Sequence, residues 1–131
     1  METIFIVAFI FSCILVLYLY KNKSNYLITA LPLFVLASHQ LEEYVLSPLM
    51  FGDKYHFLEW AFRSGVNISP IEVTTINSVP YFLLPLLFLL KPSTKIFSIL
   101  FLFNSSLLLS NGMFHIGLAT AQTDYSPGMV T

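Results

Sequence analysis

Long apolar runs alternate with short polar stretches along the chain, in the pattern typical of membrane-spanning helices. Each run is close to the ~20 apolar residues that an α-helix needs to cross a bilayer core. The runs cover about residues 3–20, 26–45, 70–90 and 94–119. Between the second and third runs, the segment of about 54–63 has the mixed pattern of a short helix lying in the membrane interface. The pattern therefore predicts an all-α, polytopic membrane helix bundle, with four transmembrane helices, an interfacial helix and one membrane domain over 1–131.

Local signals mark where some of these helices begin and end. Ser69-Pro70-Ile71-Glu72 combines a serine cap, a proline in the first turn and the glutamate of a capping box, which predicts a helix start. Residues 123–131 are typical of a loop that leads into another helix, which would be a truncated fifth span. A short solvent-exposed tail fits the same residues nearly as well.

Composition supports the membrane assignment. Of the 131 residues, 56% are hydrophobic and 10% are charged, whereas soluble domains average about 25% charged residues. The chain begins Met1-Glu2-Thr3, without the basic region of a secretory signal, so the first run is predicted to be a retained helix. The lone Cys13 excludes a disulfide within the chain. With a net charge of −1 and scattered basic residues, no nucleic-acid partner is expected, and the predicted partner is the lipid bilayer.

The distribution of lysines predicts the orientation. Lys21, Lys23, Lys91 and Lys95 all lie in the two short loops, which four spans would place on the same side. Since basic loops remain on the cytoplasmic side, the N-terminus is predicted to lie outside the plasma or cytoplasmic membrane.

Polar residues inside the apolar runs mark the candidate site. His39, Glu42 and Glu43 lie in the later half of the second run, and their spacing of three and four predicts that they project from one side of a helix. Ionisable groups at that depth are costly and usually functional. In the predicted frame, His115 of the fourth run and Asn77 of the third run reach the same outer layer.

The chemistry of this set favours a metal site. His39, Glu43 and His115 form a ligand set suited to a divalent ion such as zinc, iron or manganese, with Glu42 as a further ligand or as the general base. Asn77 and Asn111 would hydrogen-bond the ligands. The sequence thus predicts a metal-dependent membrane enzyme that acts on a lipidic or small apolar substrate.

Two other functions fit the same residues. A non-enzymatic binder or proton-coupled carrier would use the carboxylates to exchange protons. A scaffold subunit would use the histidines, carboxylates and asparagines only to hold helices together through hydrogen bonds.

Several scattered residues together resemble one protein family. It is a family of small polytopic membrane proteins named for a His-x-x-Glu-Glu motif. The resemblance is carried by His39 to Tyr44, Phe57-x-x-Trp60, Asn77, His115 and Tyr125-Ser126-Pro127-Gly128. It implies a helical membrane domain of unassigned function, another apolar helix after the Ser-Pro-Gly segment, and a special role for His39, Glu42, Glu43 and His115.

Overall fold

The computed structural model describes residues 1–83, 86, 90 and 93–131, and every regular element in those residues is helical. The order of elements is α1 (Glu2–Lys21), α2 (Leu27–Leu41), a first π-helix (Glu42–Leu46), α3 (Ser47–Phe51), a 3₁₀ turn (Asp53–Tyr55), α4 (Phe57–Arg63), α5 (Pro70–Ser78), a second π-helix (Val79–Leu83) and α6 (Thr94–Gln122).

The prediction of four membrane spans is wrong. Among the described residues, only α1 and α6 are long and apolar enough to cross a membrane. In place of the second predicted span, regular α-helix covers only the 15 residues of α2. The helical path continues to Phe51 through a π-helix that carries two carboxylates and through α3.

The third predicted span, 70–90, is also interrupted. Its first part is α5, of nine residues, followed by the second π-helix. Pro80 lies in this π-helix and has no N–H to donate to a helical hydrogen bond. Residues 84–85, 87–89 and 91–92, which belong to the predicted span and the loop after it, lie outside the described residues.

Helix α2 packs on α1 and on α6, so it forms the centre of the molecule. Small side chains allow this close approach, because Ala8 of α1 and Ala37 of α2 are both 1% exposed. They belong to a core cluster that is completed by Leu33, Leu36 and Tyr81. A second core cluster lies beyond the C-terminal end of α2, around Tyr44 of the first π-helix, and contains Phe5, Tyr44, Phe57, Ala61 and Val73.

The first π-helix has a cause in the sequence. Pro48, two residues after its end, cannot donate a hydrogen bond to the carbonyl of Tyr44, and its ring would clash with that carbonyl in an α-helix. The preceding turn widens instead, and the N–H of Ser47 bonds the carbonyl of Glu42, five residues back. Such widened turns are frequent at functional sites, and this one carries Glu42 and Glu43.

Two helix starts follow their local signals. The capping box predicted at Ser69 is confirmed, since the Ser69 N–H donates to Glu72 Oε2 at 3.2 Å. At the start of α6, the hydroxyl of Ser93 accepts from the N–H of Ile96 at 3.3 Å. The predicted interfacial helix corresponds to the 3₁₀ turn and α4, which buries Phe57, Trp60 and Ala61.

The last residues fold back onto the helices. Helix α6 ends at Gln122, and the next residue, Thr123, has a positive φ of 54° that turns the chain sharply. Asp124–Thr131, called the C-terminal segment below, then runs past the end of the first π-helix. Ser126, Pro127 and Gly128 are buried there. Within the described residues, neither a further helix nor a freely exposed tail is formed.

Candidate metal centre

Three elements bring one carboxylate and two imidazoles together. His39 lies in the last turn of α2, Glu43 lies one turn later in the first π-helix, and His115 faces them from α6. Glu43 Oε1 is 2.7 Å from His115 Nε2 and 3.5 Å from His39 Nε2. The two imidazole rings lie edge to face, with their centroids 4.9 Å apart. The structure thus brings together three of the residues predicted to bind metal.

This group is suited to a metal ion. One ligand atom from each of the three residues lies within 4.8 Å of the others. Ligands about 2.0–2.1 Å from a tetrahedral ion are roughly 3.3–3.5 Å apart, so small side-chain shifts would complete the geometry. His39, Glu43 and His115 are at most 3% exposed. His39 Nε2 lies 3.5 Å from Glu43 Oε1 without making a hydrogen bond of normal geometry, and a buried nitrogen so weakly paired would gain from a bound ion.

Ser126 orients His115 from the far side of its ring. The Ser126 hydroxyl is 2.7 Å from His115 Nδ1 and is fully buried. A hydroxyl can donate or accept, so it satisfies Nδ1 in either tautomer of the imidazole. When Nε2 binds a metal, Nδ1 carries the proton and donates a hydrogen bond to the Ser126 hydroxyl. Metal-binding histidines are usually oriented by a hydrogen bond of this kind.

Gly128 closes the other side of the group. Its φ of +88° favours glycine, and an added Cβ would lie 2.6 Å from His39 Cε1 and 2.7 Å from Glu43 Cγ. The backbone of the C-terminal segment therefore lies directly against both side chains, and glycine is needed there for conformation and for space.

Glu42 does not join the group, and the expectation that it projects from the same side as His39 and Glu43 is wrong. Consecutive residues on a helix are rotated by about 100°, so the Glu42 carboxylate points to the C-terminal segment. It accepts hydrogen bonds from Tyr125 Oη at 2.5 Å, from Val130 N at 3.2 Å, and from Thr131 N at 2.9 Å and Oγ1 at 2.6 Å. Its carboxylate anchors the C-terminal segment.

Tyr125 links this anchor to α3. Its hydroxyl also lies 2.9 Å from Ser47 Oγ. Burial, followed by the hydrogen bond to the Glu42 carboxylate, raises the pKa of Tyr125 to about 12. The phenol therefore stays protonated near neutral pH and serves as a hydrogen-bond donor to Glu42.

The two predicted supporting asparagines lie near the group without bonding it. Asn77 and Asn111 line a cavity of about 210 Å³ whose other walls include Glu43, Phe57 and His115. Among the described residues, no hydrogen bond joins either amide to His39, Glu43 or His115. Their predicted role as hydrogen-bond partners of the ligands stays a prediction.

Ser126 and Gly128 are the site residues that helical spacing did not identify. Both follow the end of α6, so no helical periodicity connects them to His39 or His115. The signal available was the Tyr-Ser-Pro-Gly string, whose proline and glycine indicate a turn with a defined conformation. Its contact with the histidines depends on the chain reversal at Thr123.

Comparison with known proteins identifies a family for most of the chain. A family model described as "Protein of unknown function with HXXEE motif" matches residues 30–131. No curated protein and no solved structure gives a significant match. In this chain the motif corresponds to His39, Glu42 and Glu43, which contribute two members of the candidate metal centre and the anchor of the C-terminal segment.

Proposed function

Since the chain belongs to this family of proteins of unknown function with an HXXEE motif, we propose its function from the geometry of the site. The protein is an integral membrane protein that binds one divalent metal ion, such as zinc, iron or manganese, through His39, Glu43 and His115. With this ion, the protein acts as an enzyme on a lipidic or small apolar substrate. The observation that most strongly supports this proposal is that three buried ligand atoms lie within 4.8 Å of one another.

The donor set supports an enzymatic rather than a purely structural ion. Two imidazoles and one carboxylate supply three ligands, as in catalytic zinc sites that leave one position for water or substrate. A bound ion would supply Lewis-acid chemistry and would lower the pKa of bound water. Ser126 would orient His115, and Gly128 would let the backbone approach His39 and Glu43.

Glu42 takes a positioning role in this proposal. Its carboxylate accepts four hydrogen bonds from the C-terminal segment. To act as the predicted general base, it would have to leave those bonds and turn toward the metal group. The same bonds hold Ser126 and Gly128 in place, so Glu42 would act on the metal through them.

The surfaces of α1 and α6 support insertion into a membrane. Val7, Ile10, Ile14 and Leu17 form an exposed stripe on α1, and each is at least half exposed. A contiguous apolar surface of this kind is unusual on a soluble monomer. Helix α6 is similarly apolar outside, and exposed side chains along it include Ile99, Leu102, Leu109, Met113 and Ile116.

The metal group belongs to one end of these helices. Phe5, near the start of α1, stacks on Tyr44, the neighbour of Glu43, with centroids 4.5 Å apart. Lys21 lies at the opposite end of α1, and Lys95 lies in the first turn of α6. Placing these lysines on the cytoplasmic side would put the N-terminus and the metal group toward the outer face.

Metal content tests the proposal directly. We expect the purified wild-type protein to bind one zinc ion per chain, and His39→Ala and His115→Ala to lose it, since each removes one of three ligands. His56→Ala is the matched control, because His56 contacts Glu2 at 3.5 Å and lies outside the group. Elemental analysis after dialysis gives the stoichiometry, and full zinc content in His39→Ala would reject the ligand assignment.

A polar helix-packing cluster is the second candidate. It is favoured by the direct 2.7 Å contact between Glu43 Oε1 and His115 Nε2, which joins the first π-helix to α6 without an ion. It predicts a wild-type protein without zinc and a lower thermal stability in His115→Ala that added zinc does not alter. In the metal proposal, zinc raises the thermal stability of wild type, since a ligand bound only by the folded state stabilises it.

A further inference from the structure

A cavity of about 480 Å³ opens beside the metal group. One wall is the face of α6 that carries Leu108, Gly112 and Met113, and the facing wall includes Pro32 of α2 and part of the C-terminal segment. The volume lies within the roughly 300–1,000 Å³ of small-molecule sites. Below, this space is called the α2/α6 groove.

The polarity of the α2/α6 groove is uneven. Of the described residues that line it, none is charged, and most side chains are apolar. The imidazoles of His39 and His115 also line it, and both are buried. An occupant with an apolar body and a polar group at one end matches this distribution.

The outer rim of the groove is continuous with the apolar surface of α6. Leu109 is 66% exposed, Met113 67% and Ile116 59%. If α6 crosses a bilayer, this rim faces acyl chains, and a hydrocarbon chain can enter sideways without crossing water. A charged or strongly polar substrate would lose hydration there without compensation.

We propose that the α2/α6 groove binds the hydrocarbon chain of a single-chain lipid and presents the lipid's oxygen-bearing head group to His39, Glu43 and His115. The substrate class is therefore a long-chain acyl or alkyl compound with one terminal polar group. This inference rests on the proposed function, since the metal group is the centre toward which the head group is directed.

Substitution of Gly112 tests the groove without changing a metal-binding residue. It lies in the α6 wall, and a Cβ added there would meet nothing within 4 Å. Glycine inside a helix lowers helix stability relative to alanine, and here it leaves the wall open. Gly117 is a matched control, because it lies on the same helix, also has open space around its Cβ, and does not line the groove.

The experiment uses the purified full chain in detergent, loaded with zinc, and a dodecyl hydroxamic acid that carries a photoreactive diazirine within its chain. We expect illumination to label groove peptides of the wild-type protein and of Gly117→Phe equally. Labelling of Gly112→Phe should be about tenfold lower, because the phenyl ring fills space that the hydrocarbon chain of the probe needs. Gly112→Leu provides a smaller obstruction if the phenylalanine variant does not fold. Zinc content is measured on every sample.

The outcomes separate the two proposals. Equal labelling of Gly112→Leu, Gly112→Phe and wild type overturns the groove assignment, whatever the zinc content. Reduced labelling in Gly117→Phe to the same extent also overturns it, since the effect would not be specific to the groove. Absence of zinc from the wild-type protein overturns the proposed function, and the difference between positions 112 and 117 still decides whether the groove binds the chain. Cross-links between two protein chains in place of the lipid adduct would identify a second copy as the occupant and reject the lipid.

Discussion

At the scale of single residues, the candidate metal centre depends on two small residues as much as on its ligands. Ser126 supports His115 through its hydroxyl, and Gly128 lets the backbone touch His39 and Glu43. The three ligand side chains are buried among these contacts, so their rotamers are held by packing. A site held in this way is preorganised before metal binds.

Gly128→Ala should abolish zinc binding. The added methyl group overlaps His39 Cε1 and Glu43 Cγ, both within 2.7 Å, so both ligands must move. Gly65→Ala is the matched control, since Gly65 also has a positive φ, of +80°, but open space around its Cβ. Backbone strain should cost each variant about 1–2 kcal/mol of stability. Gly128→Ala should lose more than this because of the overlap, and only Gly128→Ala should lose metal. Calorimetric zinc titration of the two proteins makes the comparison, and normal affinity in Gly128→Ala would contradict the geometry.

At the scale of elements, the first π-helix and the C-terminal segment act together. The π-helix directs the consecutive carboxylates of Glu42 and Glu43 to different partners. Glu43 faces the histidines, whereas Glu42 holds the backbone and side chains of the C-terminal segment. That segment in turn places Ser126 and Gly128 against the imidazoles.

Glu42→Ala should release the C-terminal segment. The N–H groups of Val130 and Thr131 lose their carboxylate acceptor, and each hydrogen bond to a charged group contributes about 1.5–3 kcal/mol. We expect amide hydrogen exchange of these residues to quicken by about tenfold or more, with weaker zinc binding. Glu59→Ala, at an exposed position of α4, should leave both unchanged. Unaltered exchange in Glu42→Ala would show that other contacts hold the segment.

At the scale of the whole molecule, two long apolar helices flank a shorter and more polar central helix. The side chains of α1 and α6 are mostly exposed, whereas α2 buries Leu33, Leu36, Ala37 and His39. An arrangement of this kind fits a protein whose outer helices contact lipid while the inner one carries the polar groups.

Cysteine labelling at the two ends of α6 tests this arrangement and its orientation. Lys95 and Gln122 are both exposed and lie near opposite ends of the helix. With Cys13 replaced by serine, an impermeant maleimide added to intact cells should label Gln122→Cys and not Lys95→Cys. After the membrane is permeabilised, both should react. Labelling of both in intact cells would mean that α6 does not cross, and labelling of Lys95→Cys alone would reverse the orientation.

Local interactions made part of this protein predictable. Apolar runs and helix-start signals indicated helices, and α1, the capping box at Ser69 and most of α6 agree with them. These features depend on neighbours within a few residues, which the sequence displays directly. Polar residues within apolar runs also identified His39, Glu43 and His115 as candidate ligands, because ionisable groups in apolar surroundings are costly and usually have a function.

Only the tertiary structure decided which elements could span a membrane and how the polar residues are divided. The number of spans was overestimated, because π-helices at Glu42–Leu46 and Val79–Leu83 interrupt two of the apolar runs, and hydropathy does not display such interruptions. The carboxylates of Glu42 and Glu43 have different partners because of Pro48, which favours the π-helix, and because of Tyr125, which bonds Glu42 from 83 residues later in the chain. A contact between segments so far apart in sequence leaves no periodic trace in either, so only the folded chain reveals it.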